Sequence, residues 1–253
     1  MKQALLFTCL ALQLVPLAVA GADEARPPRF AAELEVGPAW QSSNDVQIPN
    51  TAEGTRFSLV DVLGNGPWPA ARLYLSWRIA QRHNLRALLA PLEITGTGEF
   101  TETVDFAGSV FQAATPTDAT YKFNSWRMTY QYRFHHGSRW VWWVGFTAKI
   151  RDAKIELSQA GESANKTDVG FVPLLNVHGH YRFSETWRID LDIDALAGGP
   201  GRAEDASLKL YADINRSWSV SAGYRTVEGG ADVEEVYNFA WFHYLVVSGV
   251  YRF

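Results

Sequence analysis

The chain ends in "HYLVVSGVYRF", residues 243–253. Counting back from the terminus by twos gives Phe253, Tyr251, Gly249, Val247 and Leu245. The other parity gives Arg252, Val250, Ser248, Val246 and Tyr244. The first set is almost wholly apolar, and the second mixes charge, hydroxyl and apolar groups. A period of two belongs to a strand and not to a helix. A terminal strand of this kind needs a neighbour for its backbone, and that neighbour has to be sought upstream.

The other end reads "MKQALLFTCLALQLVPLAVAGADEARPP". Lys2 gives a positive start, Ala4 to Ala20 is nearly all apolar, and small residues flank two cleavage points, after Ala20 and after Ala22. This is the pattern of a secretory signal. Residues 1–20 (or 1–22) are therefore expected to be removed, leaving one domain over 23–253. Cys9 is the only cysteine and lies in the leader, so the exported chain would carry no disulfide. The formal net charge of −4 argues against nucleic acid as a partner.

Period-two alternation runs through most of the chain. In "PAARLYLSWRIA", Ala71, Leu73, Leu75, Trp77 and Ile79 alternate with Arg72, Tyr74, Ser76 and Arg78. Trp126, Met128, Tyr130, Tyr132 and Phe134 alternate with Ser125, Arg127, Thr129, Gln131 and Arg133. Trp140, Trp142, Val144, Phe146, Ala148 and Ile150 do so with Trp143, Thr147, Lys149 and Arg151. Ile189, Leu191 and Ile193 share a strand with Asp190, Asp192 and Asp194.

Alternation alone fits a soluble sandwich as well as a membrane barrel. Three features decide between them. Connections take turns between short (81–84, 135–139, 184–186, 215–217) and long (41–68, 96–119, 159–168, 198–205, 228–235), the asymmetry of outer-membrane barrels. Aromatic residues gather at the short-turn ends: Trp77, Phe134, Trp140, Phe183, Trp187, Trp218, Tyr251 and Phe253, as a girdle at one membrane interface would require. The leader directs the chain out of the cytoplasm. The fold class is therefore all-β, an antiparallel transmembrane barrel. Ten strands are expected at 31–40, 69–80, 85–95, 120–134, 140–157, 168–183, 187–197, 206–214, 217–227 and 236–253. Residues 85–119 leave eight or twelve open, because "LRALLAPLEI" alternates weakly and "TETVDFAGSVFQ" reads either as a hairpin in a loop or as two more strands.

Closure of such a sheet makes the last strand pair with the first, since an open edge in lipid leaves backbone groups unsatisfied. "YLVVSGVYRF" resembles the C-terminal signature of bacterial outer-membrane β-barrel proteins, small porin-like or OmpA-like architectures, with Phe253, Tyr251, Val247 and Leu245 at the signature positions. Gly249 departs from it, standing where an apolar side chain is usual. The resemblance implies location in the outer membrane of a Gram-negative bacterium, after export through the periplasm. It also implies contact with the bilayer and lipopolysaccharide, and recognition of the last strand by the outer-membrane assembly machinery. It names no activity.

About ten strands are too few for an open aqueous channel. The inward parity carries Arg72, Arg78, Arg127, Arg133, Lys149, Arg151, Lys209 and Arg225 against Asp190, Asp192 and Asp194, with Glu33, Glu35 and Glu93 as further acids. A compensated charge network filling the lumen is expected, since buried charge must be paired; a narrow polar path for a small solute is the competing reading. No catalytic residue, metal or cofactor is assigned, and no ligand is named. Ten strands resemble the omptin proteases, but none of the six histidines falls beside an aspartate at the outer rim, where Asp194 and Glu228 are expected. A barrel resembling the lipid A deacylases would need a lipid-facing His–Ser pair. His243 has the outward parity, yet its nearest hydroxyls in sequence are Tyr244 and Ser248. His178 and His180, at i and i+2, share a face and are read as lumen filling rather than metal ligands. In the first long loop Ser58, Asp61 and Gly64 punctuate a short helix, ordinary packing or a lid over the mouth. "AGGPGRAED" and "VEGGADVEE" are read as turns needing positive φ. A structural or binding barrel is the leading expectation, with a loop-assembled hydrolase or a surface adhesin as alternatives.

Overall fold

The computed structural model describes residues 28–253, so the expected leader lies outside the described residues. The elements are β1 (Phe30–Gln47), β2 (Phe57–Ser58), α1 (Leu59–Leu63), β3 (Trp68–Ala80), β4 (His83–Ala90), β5 (Glu93–Gly98), β6 (Val104–Phe106) and β7 (Ser109–Phe111). There follow β8 (Thr117–His136), β9 (Trp140–Gln159), β10 (Glu162–Arg182), β11 (Trp187–Gly198), β12 (Gly201–Asp213), β13 (Trp218–Val233) and β14 (Val236–Arg252). Neighbours pair antiparallel in chain order, and β14 returns to β1. β4 and β5 both pair with β8 in one register, so they form a single barrel strand, and the closed barrel has ten. The break between them holds Pro91, which has no N–H to give a ladder.

The seam answers the question set by the terminal strand. β14 pairs with β1 from Ala31↔Arg252 to Gln47↔Tyr237. At its foot Phe30 N–H donates to the Phe253 carbonyl at 3.0 Å, and Phe253 N–H returns the bond at 2.9 Å. The two chain ends of the barrel thus satisfy each other, and no edge is left open.

The connections differ from the expected pattern in one respect. Three of the five long loops, 159–168, 198–205 and 228–235, are continuations of strands. β9 and β10 run 20 and 21 residues and turn at 160–161, β11 and β12 turn at 199–200, and β13 and β14 turn at 234–235. A span of the bilayer takes about 9–11 residues, so these hairpins stand well beyond it. Glycines and acids read as turn signals sit in ladders here. Gly201 has the expected positive φ (157°), but Gly230 is extended, and a Cβ on it would lie 1.9 Å from the Asn238 carbonyl oxygen.

The two remaining connections, 48–67 and 99–116, fold inward. "TETVDFAGSVFQ" is the hairpin β6–β7, a separate two-stranded sheet and not part of the wall. The short helix α1 forms as expected: the Ser58 side chain accepts from Val60 N–H at 3.3 Å, and Gly64 (φ 77°) closes its end. The two connections are tied by Ala107 N–H to the Ile48 carbonyl and Thr55 N–H to the Asp105 carbonyl, at 2.8 and 2.9 Å. Leu59, Val62, Phe57, Phe100, Phe106 and Phe111 then pack against inward residues of the wall, among them Ile94, Tyr121, Leu157 and Phe242. The upper barrel is filled by this apolar plug, formed by packing of the loop inside the mouth.

Candidate functional site

Below the plug the interior changes character. Each wall strand turns alternate residues inward, so its polar parity faces the axis. Asp205 stands at the centre. Its carboxylate accepts from Arg72 at 2.6 Å, from Arg127 at 2.7 Å and from Arg225. Arg225 also meets Glu35 at 2.9 Å, and Arg127 reaches Asp194 at 2.9 Å. Lys209 bridges Glu33 and Glu35 at 2.6 and 3.0 Å. Arg86 pairs with Asp192 at 2.7 Å, and His178 with Asp190 at 3.0 Å. Neutral groups join in: Asn176 donates to Asp192 and Asp194, and Thr147 donates to Asp194 at 2.7 Å. Arg72, Arg127, Arg225, Asp194, Asp205 and Lys209 are all buried. Such charges survive burial only when paired and hydrogen-bonded, and here they are. The cavity beside this network, lined by Arg72, Arg127, Phe123 and Tyr244 among others, is about 20 Å³, room for one water.

Of the residues read as a lumen network, the structure places Arg72, Arg127, Asp190, Asp192, Asp194, Lys209 and Arg225 together in the buried layer. Arg78 is exposed and Arg133 half-buried, because both lie near the short-turn ends of their strands, past the packed layer. Arg151 lies above that layer and pairs with Asp168 of β10. Lys149 is buried, but its ammonium sits 4.7 Å from the Phe123 ring centroid instead of on a carboxylate. Asp194 is deep in the lumen and not at the rim, since β11 continues past it to Gly198. Asp205, the hub, was assigned to a loop by the glycines before it; the alternation Asp205, Ser207, Lys209, Tyr211 was the signal that could have placed it. Arg86 was hidden by the weak alternation of β4.

All eight girdle residues are outward and exposed, from Trp218 at 40% to Phe253 at 60%. Rings meet between neighbouring strands: Phe30 stacks on Trp77 at 6.1 Å and, across the seam, on Phe253 at 5.8 Å, and Tyr251 lies 4.8 Å from Trp218.

A second cluster lies on the outward face at the other end of the seam. A bulge between Gln41 and Ser43 leaves Ser42 without a ladder partner, and its side chain points outward on the same parity as Leu34, Val36 and Trp40. Its Oγ lies 2.9 Å from His243 Nε2. The other ring nitrogen, Nδ1, lies 2.5 Å from the Tyr224 hydroxyl. Trp40 and Trp241 flank the imidazole at ring-centroid distances of 5.9 and 5.2 Å, and Trp241 is itself held by Thr226 at 2.6 Å. A cleft of about 590 Å³ opens beside them, lined by Ser43, Thr226, Trp241, Phe239 and Glu228 among others. Sequence reading reached His243 but not its partner, because the two lie about 200 positions apart and meet only across the closing pair of strands.

Among solved structures the chain is similar to the outer-membrane protease OmpT from Escherichia coli, with a TM-score of 0.55 at 8% identity over 90% of this chain and 97% of that one. Weaker likenesses are to the attachment invasion locus protein Ail of Yersinia pestis (TM-score 0.40, 11% identity, 89% and 99% covered) and to Neisserial surface protein A (0.38, 12%, 88% and 97%). The fold is that of the outer-membrane β-barrels. No family model matches the sequence, and no curated protein does. At such identities the likeness carries architecture and nothing of activity.

Proposed function

We propose that this is an integral protein of the bacterial outer membrane whose barrel is a closed support and not a conduit. The observation that carries this reading is the double filling of the interior, an apolar plug above and a paired charge network below. A hydrated ion crossing the lumen would have to displace both. The outward apolar band with its girdle suits a bilayer flanked by lipopolysaccharide, and the terminal strand suits engagement by the assembly machinery. Work done by such a protein falls to its outer surface, where the long hairpins and the seam cleft are.

The test is planar-bilayer conductance of the refolded chain, with a heat-modifiability gel to show folding. The expected result is a folded barrel without discrete steps. Voltage-stable steps that change with Asp192→Asn would overturn the closed-lumen reading and make this a narrow channel.

A further inference from the structure

The outward cluster at the seam holds the three parts of a nucleophilic site: a hydroxyl, a base on it and a group orienting the base. We infer that Ser42 is an acyl-accepting nucleophile, served by His243 as general base and by Tyr224 as positioning residue, and that its substrate is the carboxylic ester of a lipid lying in the bilayer.

The geometry supplies the first half of the argument. Both imidazole nitrogens are engaged, Nε2 with Ser42 Oγ at 2.9 Å and Nδ1 with the Tyr224 hydroxyl at 2.5 Å. With Nδ1–H donating to the phenol oxygen, Nε2 keeps its lone pair for the serine proton. The tyrosine oxygen is placed to accept from the tautomer that a base on serine needs. The indoles of Trp40 and Trp241 on either side restrict the ring. The bulge frees the backbone of Ser42 from the ladder, on the face to which the alternation of β1 already turns its side chain.

Depth supplies the second half. From Phe253 to His243, about ten residues rising about 3.3 Å each on a strand tilted about 40° climb about 25 Å, the height of a barrel's apolar band. Below the cluster the outward residues are Val36, Leu245 and Val247, all exposed and apolar. Above it are Asp45, Arg202, Glu204 and Glu228 in the wall of the cleft. Ser42 therefore sits at the boundary of hydrocarbon and headgroup, the level at which a membrane lipid holds its ester carbonyls. An acyl chain can lie on the apolar stripe while the polar portion enters the cleft.

The chemistry balances without a further reagent. Ser42 Oγ attacks the ester carbonyl as its proton passes to His243 Nε2. The tetrahedral intermediate collapses, the C–O bond to the alcohol breaks, and the imidazolium returns the proton to that oxygen. Water, deprotonated by His243, then cleaves the acyl-serine, which releases a fatty acid and restores the hydroxyl.

The first readout is the covalent adduct of a long-chain alkyl fluorophosphonate with the refolded full chain, located by mass spectrometry. The adduct is expected on Ser42, lost in Ser42→Ala, slowed about 10²–10⁴-fold in His243→Gln, and kept in Ser248→Ala, whose hydroxyl faces the lumen. Tyr224→Phe should slow labelling and move the acid limb of its pH profile, which a merely packing role would leave in place. The second readout is fatty acid released from vesicles of phosphatidylethanolamine or of purified lipopolysaccharide. Release from one and not the other identifies the source of the ester. A folded chain, heat-modifiable by gel, whose Ser42 takes no adduct would overturn the inference, as would labelling unaffected by His243→Gln or release from neither vesicle. Conductance plays no part in these readouts, so the inference can fail while the closed-lumen reading stands.

Discussion

Phe30 and Phe253 exchange both of their backbone hydrogen bonds, at 3.0 and 2.9 Å, and stack their rings at 5.8 Å. The first and last aromatic residues of the barrel are thus one structural unit, tied by backbone inside the wall and by ring surface outside it. Phe253→Ala removes the ring contacts with Phe30 and Tyr251 at once. It should lower the yield of heat-modifiable barrel in cells several-fold, and Phe30→Ala should give a milder loss, because the proposed engagement by the assembly machinery is with the last strand. Equal loss in both variants would place the effect in barrel stability alone.

Asp205 should be the most sensitive position in the lumen. Three arginines converge on its carboxylate. Asp205→Ala leaves these three buried cations only Glu35 and Asp194 as acidic partners, and breaking a buried pair costs about 3–5 kcal/mol. Denaturant titration of the folded barrel in detergent micelles should show that loss. Asp168→Ala, at the half-exposed pair with Arg151, should cost at most about 1 kcal/mol.

The plug and the charge network should seal independently. Phe106→Ala opens a cavity in the plug and should cost about 3–5 kcal/mol. It should not produce bilayer conductance, because the layer beneath it does not use Phe106. Conductance appearing in this variant would show that the apolar layer alone closes the barrel.

The two glycines nearest the seam should respond in opposite ways. A Cβ at Gly249 meets nothing within 4 Å, whereas one at Gly37 would lie 1.9 Å from the Leu245 carbonyl oxygen. Gly249→Val should therefore be tolerated and should restore the apolar signature of the last strand. Gly37→Ala should weaken β1–β14 pairing and lower the temperature at which the heat-modifiable form is lost.

The architecture was legible because its cause is periodic. Lipid outside and a packed axis inside impose alternation on most spanning strands, and the girdle marks one end of seven of the ten. The hairpins above the membrane were not legible for the same reason: with water on one side and a plug on the other, their faces no longer differ sharply, so residues such as Gly230 read as turn. Pairing within the lumen was legible by sign but not by partner. Lys209 and Glu33 lie 176 positions apart, and register around a closed sheet, which no single strand records, is what brings them to 2.6 Å.

The seam also sets a clock. Ser42 belongs to the first strand of the barrel and His243 to the last, so their hydrogen bond cannot exist on a nascent or partly inserted chain. Whatever chemistry the pair performs stays switched off until the barrel closes. It becomes available in the step that joins the two ends, at the boundary of the lipid it faces.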